Sequence, residues 1–146
     1  IDLGAIVGGY CSDLTRTVVL GQPNPRFQQI YENCLEANEA AIQAIRPGMR
    51  GAEVDQVARG IIEEAGYGKY FGHGLGHGVG LEIHEGPRLS PLAGDYRLQK
   101  GNVVTIEPGI YIPGKFGVRI EDYVVLTGRG AEVLSRTAKK LKKIRG

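Results

Sequence analysis

The segment Phe71-Gly72-His73-Gly74-Leu75-Gly76-His77-Gly78-Val79-Gly80 alternates glycine with side chains, and its reading decides how the rest of the chain is taken. All three histidines of the protein lie here or just beyond, at His73, His77 and His84. Each glycine inside a helix costs roughly 1 kcal/mol relative to alanine, so the spacing predicts an extended strand. Alternation would then place Phe71, His73, Leu75, His77 and Val79 on one face and bare backbone on the other. A bare face admits a neighbouring chain at very short range.

Upstream of this segment the pattern is helical. Asn24 and Pro25 form an N-cap and first-turn signal. Phe27, Ile30, Tyr31, Cys34, Leu35, Ala41, Ile42 and Ile45 then follow helical spacing up to Pro47-Gly48. A second helix is predicted from about Ala52, carrying Val54, Val57, Ala58, Ile61, Ile62 and Ala65, and ending at Gly66. Before the helices, Ile1–Gly8 and Leu14–Leu20 read as strands around a Gly8-Gly9 turn. After the histidines comes a Gly/Pro-rich loop through Gly94. Val103–Glu107 and Val118–Leu126 then read as strands joined across Pro113-Gly114. The lysine-rich tail from Ala138 reads as a solvated terminal helix. This order predicts an α+β fold with a curved, mostly antiparallel sheet and helices on one side.

A chain of 146 residues with 42% apolar and 23% charged residues forms one ordinary domain. A net charge of +2 gives no reason to invoke nucleic acid. The sequence has no apolar run of about 18 residues and no signal-peptide pattern, so no membrane partner is expected. Cys11 and Cys34 form no disulfide framework, which points to a reducing, cytoplasmic setting. The chain begins at Ile1 inside a strand, and its single methionine is Met49. It is therefore expected to be the C-terminal portion of a catalytic domain, N-terminally incomplete, over residues 1–146.

Most acids, such as Glu32, Glu36, Glu63 and Glu64, fall on polar helix faces. Asp2, Asp13, Glu107 and Glu121 instead interrupt apolar strand sequence, where a charge is costly unless paired or metal-bound. A two-residue turn at Gly8-Gly9 sets Asp2 opposite Thr15 and Asp13 opposite Gly4, on one sheet face. A three-residue loop at Pro113-Gly114-Lys115 sets Glu107 opposite Glu121. Any one of these acids could pair with Arg16, Arg119 or a lysine. Taken together with the histidines, the four point to cations. Carboxylates with one imidazole suit Mn²⁺, Co²⁺, Fe²⁺ or Zn²⁺. Four negative charges favour two such ions, which about 3.5–4 Å apart can share and activate a hydroxide for hydrolysis.

These residues sit in five ordered motifs: Asp2-Leu3-Gly4-Ala5 with Tyr10-Cys11-Ser12-Asp13-Leu14-Thr15-Arg16-Thr17; Gly72 to His77; His84-Glu85-Gly86-Pro87; Thr105-Ile106-Glu107-Pro108-Gly109-Ile110-Tyr111; and Gly117-Val118-Arg119-Ile120-Glu121-Asp122. In this the chain resembles the pita-bread (creatinase/aminopeptidase-like) metallopeptidases, in their Xaa-Pro aminopeptidase and prolidase branch, up to about Ser135. The resemblance implies metal ligands Asp2, Asp13, His77, Glu107 and Glu121, with Asp13 and Glu121 bridging two divalent ions, manganese foremost. It implies Glu107 as proton shuttle, His84 at the scissile peptide, His73 lining the substrate pocket and Arg119 supporting an acidic ligand. His73 also has a purely structural reading. No other cofactor is expected.

The activity implied is removal of an N-terminal residue from peptides with proline second, by attack of a metal-bridging hydroxide. The compact stretch from Glu85 to Glu107 favours aminopeptidase over Xaa-Pro dipeptidase. A methionine aminopeptidase or a non-catalytic relative fits less well, because the motifs match the proline branch and all five ligand positions are filled. The family also implies a homo-oligomer.

Overall fold

The computed structural model describes residues 1–145. Its first half-turn of chain is a broken hairpin. Strands β1 (Asp2–Leu3), β2 (Ile6–Val7), β3 (Tyr10–Cys11) and β4 (Leu14–Thr15) pair antiparallel, β1 with β4 and β2 with β3. Gly8 and Gly9 both have positive φ, as a two-residue hairpin turn requires. The predicted register holds, with Asp2 opposite Thr15 and Val7 opposite Tyr10. The single strands expected on each side are interrupted where Ser12 hydrogen-bonds back to Ala5 through both its backbone and its hydroxyl.

Strand β5 (Val18–Leu20) leads into helix α1 (Pro25–Ala44), capped by Asn24 Oδ1, which accepts from Phe27 N at 2.8 Å. Helix α2 (Gly51–Glu64) starts where Glu53 Oε2 accepts from Arg50 N at 2.7 Å. The two helices pack on each other and on the sheets. Ile30, Cys34 and Ala41 of α1 and Val54, Ala58 and Ile62 of α2 are fully buried, with Val104, Ile110, Val118 and Val124 from the strands. Each fully buried valine or isoleucine among them contributes roughly 1.5–3 kcal/mol.

Strands β6 (Gly76–Gly78), β7 (Glu85–Leu89), β8 (Val103–Ile106), β11 (Asp122–Thr127) and β12 (Gly130–Val133) form an antiparallel sheet in the order β12-β11-β8-β6-β7. Between β8 and β11 runs a long hairpin whose tip is β9 (Gly109–Ile112) and β10 (Phe116–Arg119). The predicted register holds on both sides of its gap: Ile106 faces Asp122, and Gly109 faces Arg119. Glu107 and Glu121 lie in that gap.

Three expectations are corrected. The histidine–glycine segment is not one strand with one face: bends at His73 and Leu75 and a bulge between His77 and Gly78 break the alternation. Phe71, Leu75 and Val79 turn into the core, while His73 and His77 face a cleft. The presumed Gly/Pro loop contains β7, which tolerates Pro87 because it is the sheet's edge. The tail forms strand β13 (Lys142–Ile144), parallel to β5, instead of a helix. The free edge of β5 offers backbone partners there, and Leu141 packs on the core while Lys142 and Lys143 stay exposed.

Candidate metal centre

Strands β1, β6, β7 and β10 and the segments between strands converge on a cleft of about 740 Å³ lined by Asp2, Asp13, His73, His77, His84, Glu107, Arg119 and Glu121 among others. Every site residue singled out from the sequence is therefore in one place. Ligand atoms form three interlocking trios: Asp13, His77 and His84; His77, Glu107 and Glu121; Asp2, Asp13 and Glu121. Within each trio they lie within 4.8 Å of one another. Asp13 and Glu121 each belong to two trios, as does His77.

The glycines explain how the wall reaches this position. A Cβ at Gly76 would overlap the Thr105 carbonyl oxygen, and one at Gly78 would overlap that of Gly86. Only bare backbone lets β6 lie between β7 and β8. His77 is then presented with Nδ1 3.0 Å from the Gly78 carbonyl and Nε2 3.1 Å from Glu107 Oε1 and 3.8 Å from Asp13 Oδ2. An Nδ1–H donated to that carbonyl leaves Nε2 directed at the carboxylates.

Two threonines hold the acids from beside. Thr15 Oγ donates to Glu121 Oε2 at 2.7 Å, and Thr105 Oγ donates to Glu107 Oε1 at 3.0 Å while accepting from His77 N. Arg119 reaches Asp2, donates to Thr15 Oγ at 3.1 Å and donates to the Tyr111 hydroxyl at 3.1 Å. Tyr111 in turn meets His73 Nε2 at 2.8 Å, and His73 Nδ1 meets the Gly74 carbonyl at 2.7 Å. Both ring nitrogens of His73 are thus engaged. His84 is exposed, its ring centroid 4.3 Å from that of His77.

Burial and crowding of like charge set the electrostatics. Burial pushes the Glu121 carboxyl up to about 7; the Thr15 hydroxyl opposes this, and the charges of Glu107, Asp13 and Asp2 add to it. Burial likewise raises Asp13, against the pull of His77. For His77, burial works to lower the pKa, but the hydrogen bonds to Glu107 and Gly78 and the charges of Glu107 and Asp13 outweigh it, and the net shift is upward. Glu121 is 2% exposed, and among the described residues its carboxylate accepts a hydrogen bond from Thr15 alone. A buried carboxylate so placed, with three more acids and an imidazole around it, is a donor set fitted to divalent cations.

Sequence reasoning missed several contributors. Thr15 and Thr105 stand two residues from Asp13 and Glu107, so period-two alternation could have found them. Asp55 and Arg59 of α2 have the i, i+4 spacing of an ordinary surface pair. They form a bidentate ion pair at 2.7 and 3.0 Å, with Asp55 1% exposed. Asp55 accepts from Leu75 N, and Arg59 donates to the carbonyls of Phe71 and His73. The pair clasps the part of the glycine-rich segment that has no strand partner. Arg88, opposite His77 on β7, lines the cleft and has no acidic partner among the described residues.

Residues 1–128 match the model of metallopeptidase family M24.

The chain belongs to metallopeptidase family M24.

It is 55% identical over 141 residues to the Xaa-Pro dipeptidase of Pyrococcus furiosus, covering 97% of this chain and 40% of that one. Among solved structures, the Xaa-Pro dipeptidase from Bacillus anthracis superimposes with a TM-score of 0.96 at 48% identity, covering 98% of this chain and 40% of that one. The X-Pro aminopeptidase from Thermotoga maritima MSB8 superimposes with a TM-score of 0.94 at 45% identity, over 98% of this chain and 40% of that one. The chain thus spans about 40% of the length of the relatives it matches. The α+β pita-bread fold expected from the sequence is the fold of this M24 chain and of its neighbours. Membership of this metallopeptidase family brings divalent metal ions with it, and the carboxylate–imidazole cluster supplies candidate ligands for them. No helix among the described residues is long and apolar enough to cross a membrane.

Proposed function

We propose that the intact gene product is a metallo-exopeptidase that hydrolyses the bond between an N-terminal residue and a following proline, with residues 1–146 supplying the metal-binding part of its catalytic domain. The convergence of Asp2, Asp13, His77, Glu107 and Glu121 on one cleft carries this reading. Those five would hold two divalent ions, Asp13 and Glu121 serving both, with manganese, cobalt, zinc or iron all compatible with the donors. Such ions supply an activated water and polarise the scissile carbonyl.

The chain's own groups then divide the remaining work. Glu107 holds or passes a proton at Oε1, where Thr105 and His77 already hydrogen-bond. His84, exposed at the cleft beside His77, contacts the scissile peptide group. His73 lines the cleft through its Tyr111 contact, and Arg119 fixes the Asp2 carboxylate. Arg88, without an acidic partner among the described residues, offers its guanidinium to a substrate carboxylate, which suits a dipeptide, whose C-terminus follows the proline directly. The names of the Pyrococcus and Bacillus relatives support the same choice. The name of the Thermotoga structure supports the aminopeptidase alternative, with longer Xaa-Pro peptides as substrates.

The test is hydrolysis by the intact gene product with added Mn²⁺, comparing Xaa-Pro dipeptides, Xaa-Pro-Yaa tripeptides and Met-Ala peptides. Preference for Xaa-Pro dipeptides is expected. Cleavage of tripeptides alone would favour the aminopeptidase reading, and cleavage of neither Xaa-Pro class would reject the proposal.

A further inference from the structure

Helix α1 presents a polar stripe to the back of the metal centre. Cys34 and Asn38, one turn apart, are both 0% exposed. They face the gap in the long hairpin, between the Ile106–Asp122 and Gly109–Arg119 pairs, where the ladder thins to one long bond from Ile120 N to the Pro108 carbonyl at 3.4 Å. Asn38 Nδ2 donates to the Ile106 carbonyl at 2.9 Å and to the Ile120 carbonyl at 3.3 Å. The Cys34 thiol sits 3.0 Å from the Pro108 carbonyl.

The two carbonyls held by Asn38 belong to the residues just before Glu107 and Glu121. A carbonyl and the following N–H share one planar peptide unit. Asn38 therefore pins one edge of the peptide plane that leads into each acid. The other edges are pinned too: Glu107 N donates to the Leu75 carbonyl at 2.8 Å, and Glu121 N donates to the Thr15 carbonyl at 3.2 Å. Lys139 Nζ donates to Asn38 Oδ1 at 2.9 Å, which decides that the NH₂ end of the amide faces the strands. The same ammonium lies 3.3 Å from Asp122 Oδ2, next in sequence to Glu121.

We propose that Asn38, oriented by Lys139, is a positioning residue that sets the spacing of the Glu107 and Glu121 carboxylates from behind the sheet and so tunes the affinity of the metal centre. Asn38 touches neither acid and no substrate. It acts through the two peptide planes, and the proposal rests on the metal-site reading given under Proposed function.

The test uses the intact gene product, stripped of metal and titrated calorimetrically with Mn²⁺, with the visible spectrum of the Co²⁺-loaded form as a report on coordination. Asn38→Leu removes both donors; Lys139→Met leaves the amide but frees it to flip. Ile62→Ala, in the α2 core, is the control for general loss of stability. Asn38→Leu is expected to weaken Mn²⁺ binding by about tenfold or more and to alter the Co²⁺ spectrum. Lys139→Met is expected to weaken binding several-fold, while Ile62→Ala lowers Tm with affinity and spectrum unchanged. If Asn38→Leu does not fold, Lys139→Met decides. Parent-like Mn²⁺ affinity and Co²⁺ spectrum in the folded variants would overturn the proposal while leaving the metal site intact. A parent protein that binds no divalent ion would overturn the metal-site reading and this one with it.

Discussion

Replacing Glu121 by glutamine tests the electrostatics of the cleft most quantitatively. Glu121 is 2% exposed, and its pKa rises from 4.5 to about 7, through burial first and the neighbouring acids second. With no metal bound, the unfolded chain gives up this proton at a lower pH than the folded one. The stability this group contributes is therefore fully present below about pH 4.5 and is lost as pH rises through about 7. A rise of that size, at about 1.36 kcal/mol per pH unit, amounts to about 3 kcal/mol. Glutamine keeps the shape and can still accept from Thr15 Oγ, but it carries no charge to suppress. Asp13 and His77, both also raised, act in the same direction, so the pH slope of the variant shrinks without vanishing. Urea denaturation of chelator-treated protein at about pH 5 and about pH 8 reads the difference directly. The parent should lose about 2.5 kcal/mol more than Glu121→Gln across that interval, since part of the effect is already spent at about pH 5, and Mn²⁺ should restore the parent at the upper pH. Equal losses in parent and variant would refute the reasoning.

Other perturbations probe the supports. Gly76→Val and Gly78→Val each drive a side chain into a backbone carbonyl and should destabilise the protein by at least about 1–3 kcal/mol and abolish turnover; normal Tm and activity would show the close approach to be dispensable. Arg59→Met strands the buried Asp55 carboxylate and should lower stability by about 3–5 kcal/mol, measured by denaturant unfolding. Hydrogen exchange should then rise at Leu75 N, whose acceptor is Asp55. Arg88→Met should raise KM for an Xaa-Pro dipeptide by about 10–100-fold with less effect on a longer peptide, as expected for loss of one charge-assisted contact to a carboxylate. An equal effect on both substrates would remove Arg88 from carboxylate recognition.

Much of this architecture is legible from turn chemistry. Read as a two-residue turn and a three-residue loop, Gly8-Gly9 and Pro113-Gly114-Lys115 give registers that bring Asp2 to Thr15 and align Glu107 with Glu121 across their gap. The acids announce themselves as charges inside apolar strands. The course of the histidine–glycine wall is not legible in the same way. Glycine leaves no pattern of inside and outside, so bends and a bulge can send Leu75 to the core and His77 to the cleft without a mark in the sequence. Strand β7 is hidden by Gly86 and Pro87, which read as loop residues yet are tolerated at a sheet edge. Strand β13 depends on a partner, β5, more than a hundred residues earlier, which no local signal encodes. Asp55 and Arg59 have the spacing of any exposed helical pair; only the fold reveals that the pair is turned inward to clasp Phe71, His73 and Leu75.

On the reading proposed above, residues scattered from Asp2 to Glu121 form one site for two divalent ions. Counting Mn²⁺ bound per chain, by calorimetry on the chelator-stripped intact gene product, tests it most directly. Two ions are expected in the parent and fewer in an Asp13→Asn, Glu121→Gln double variant that still folds. No bound Mn²⁺ in the parent, or an undiminished count in the double variant, would contradict it.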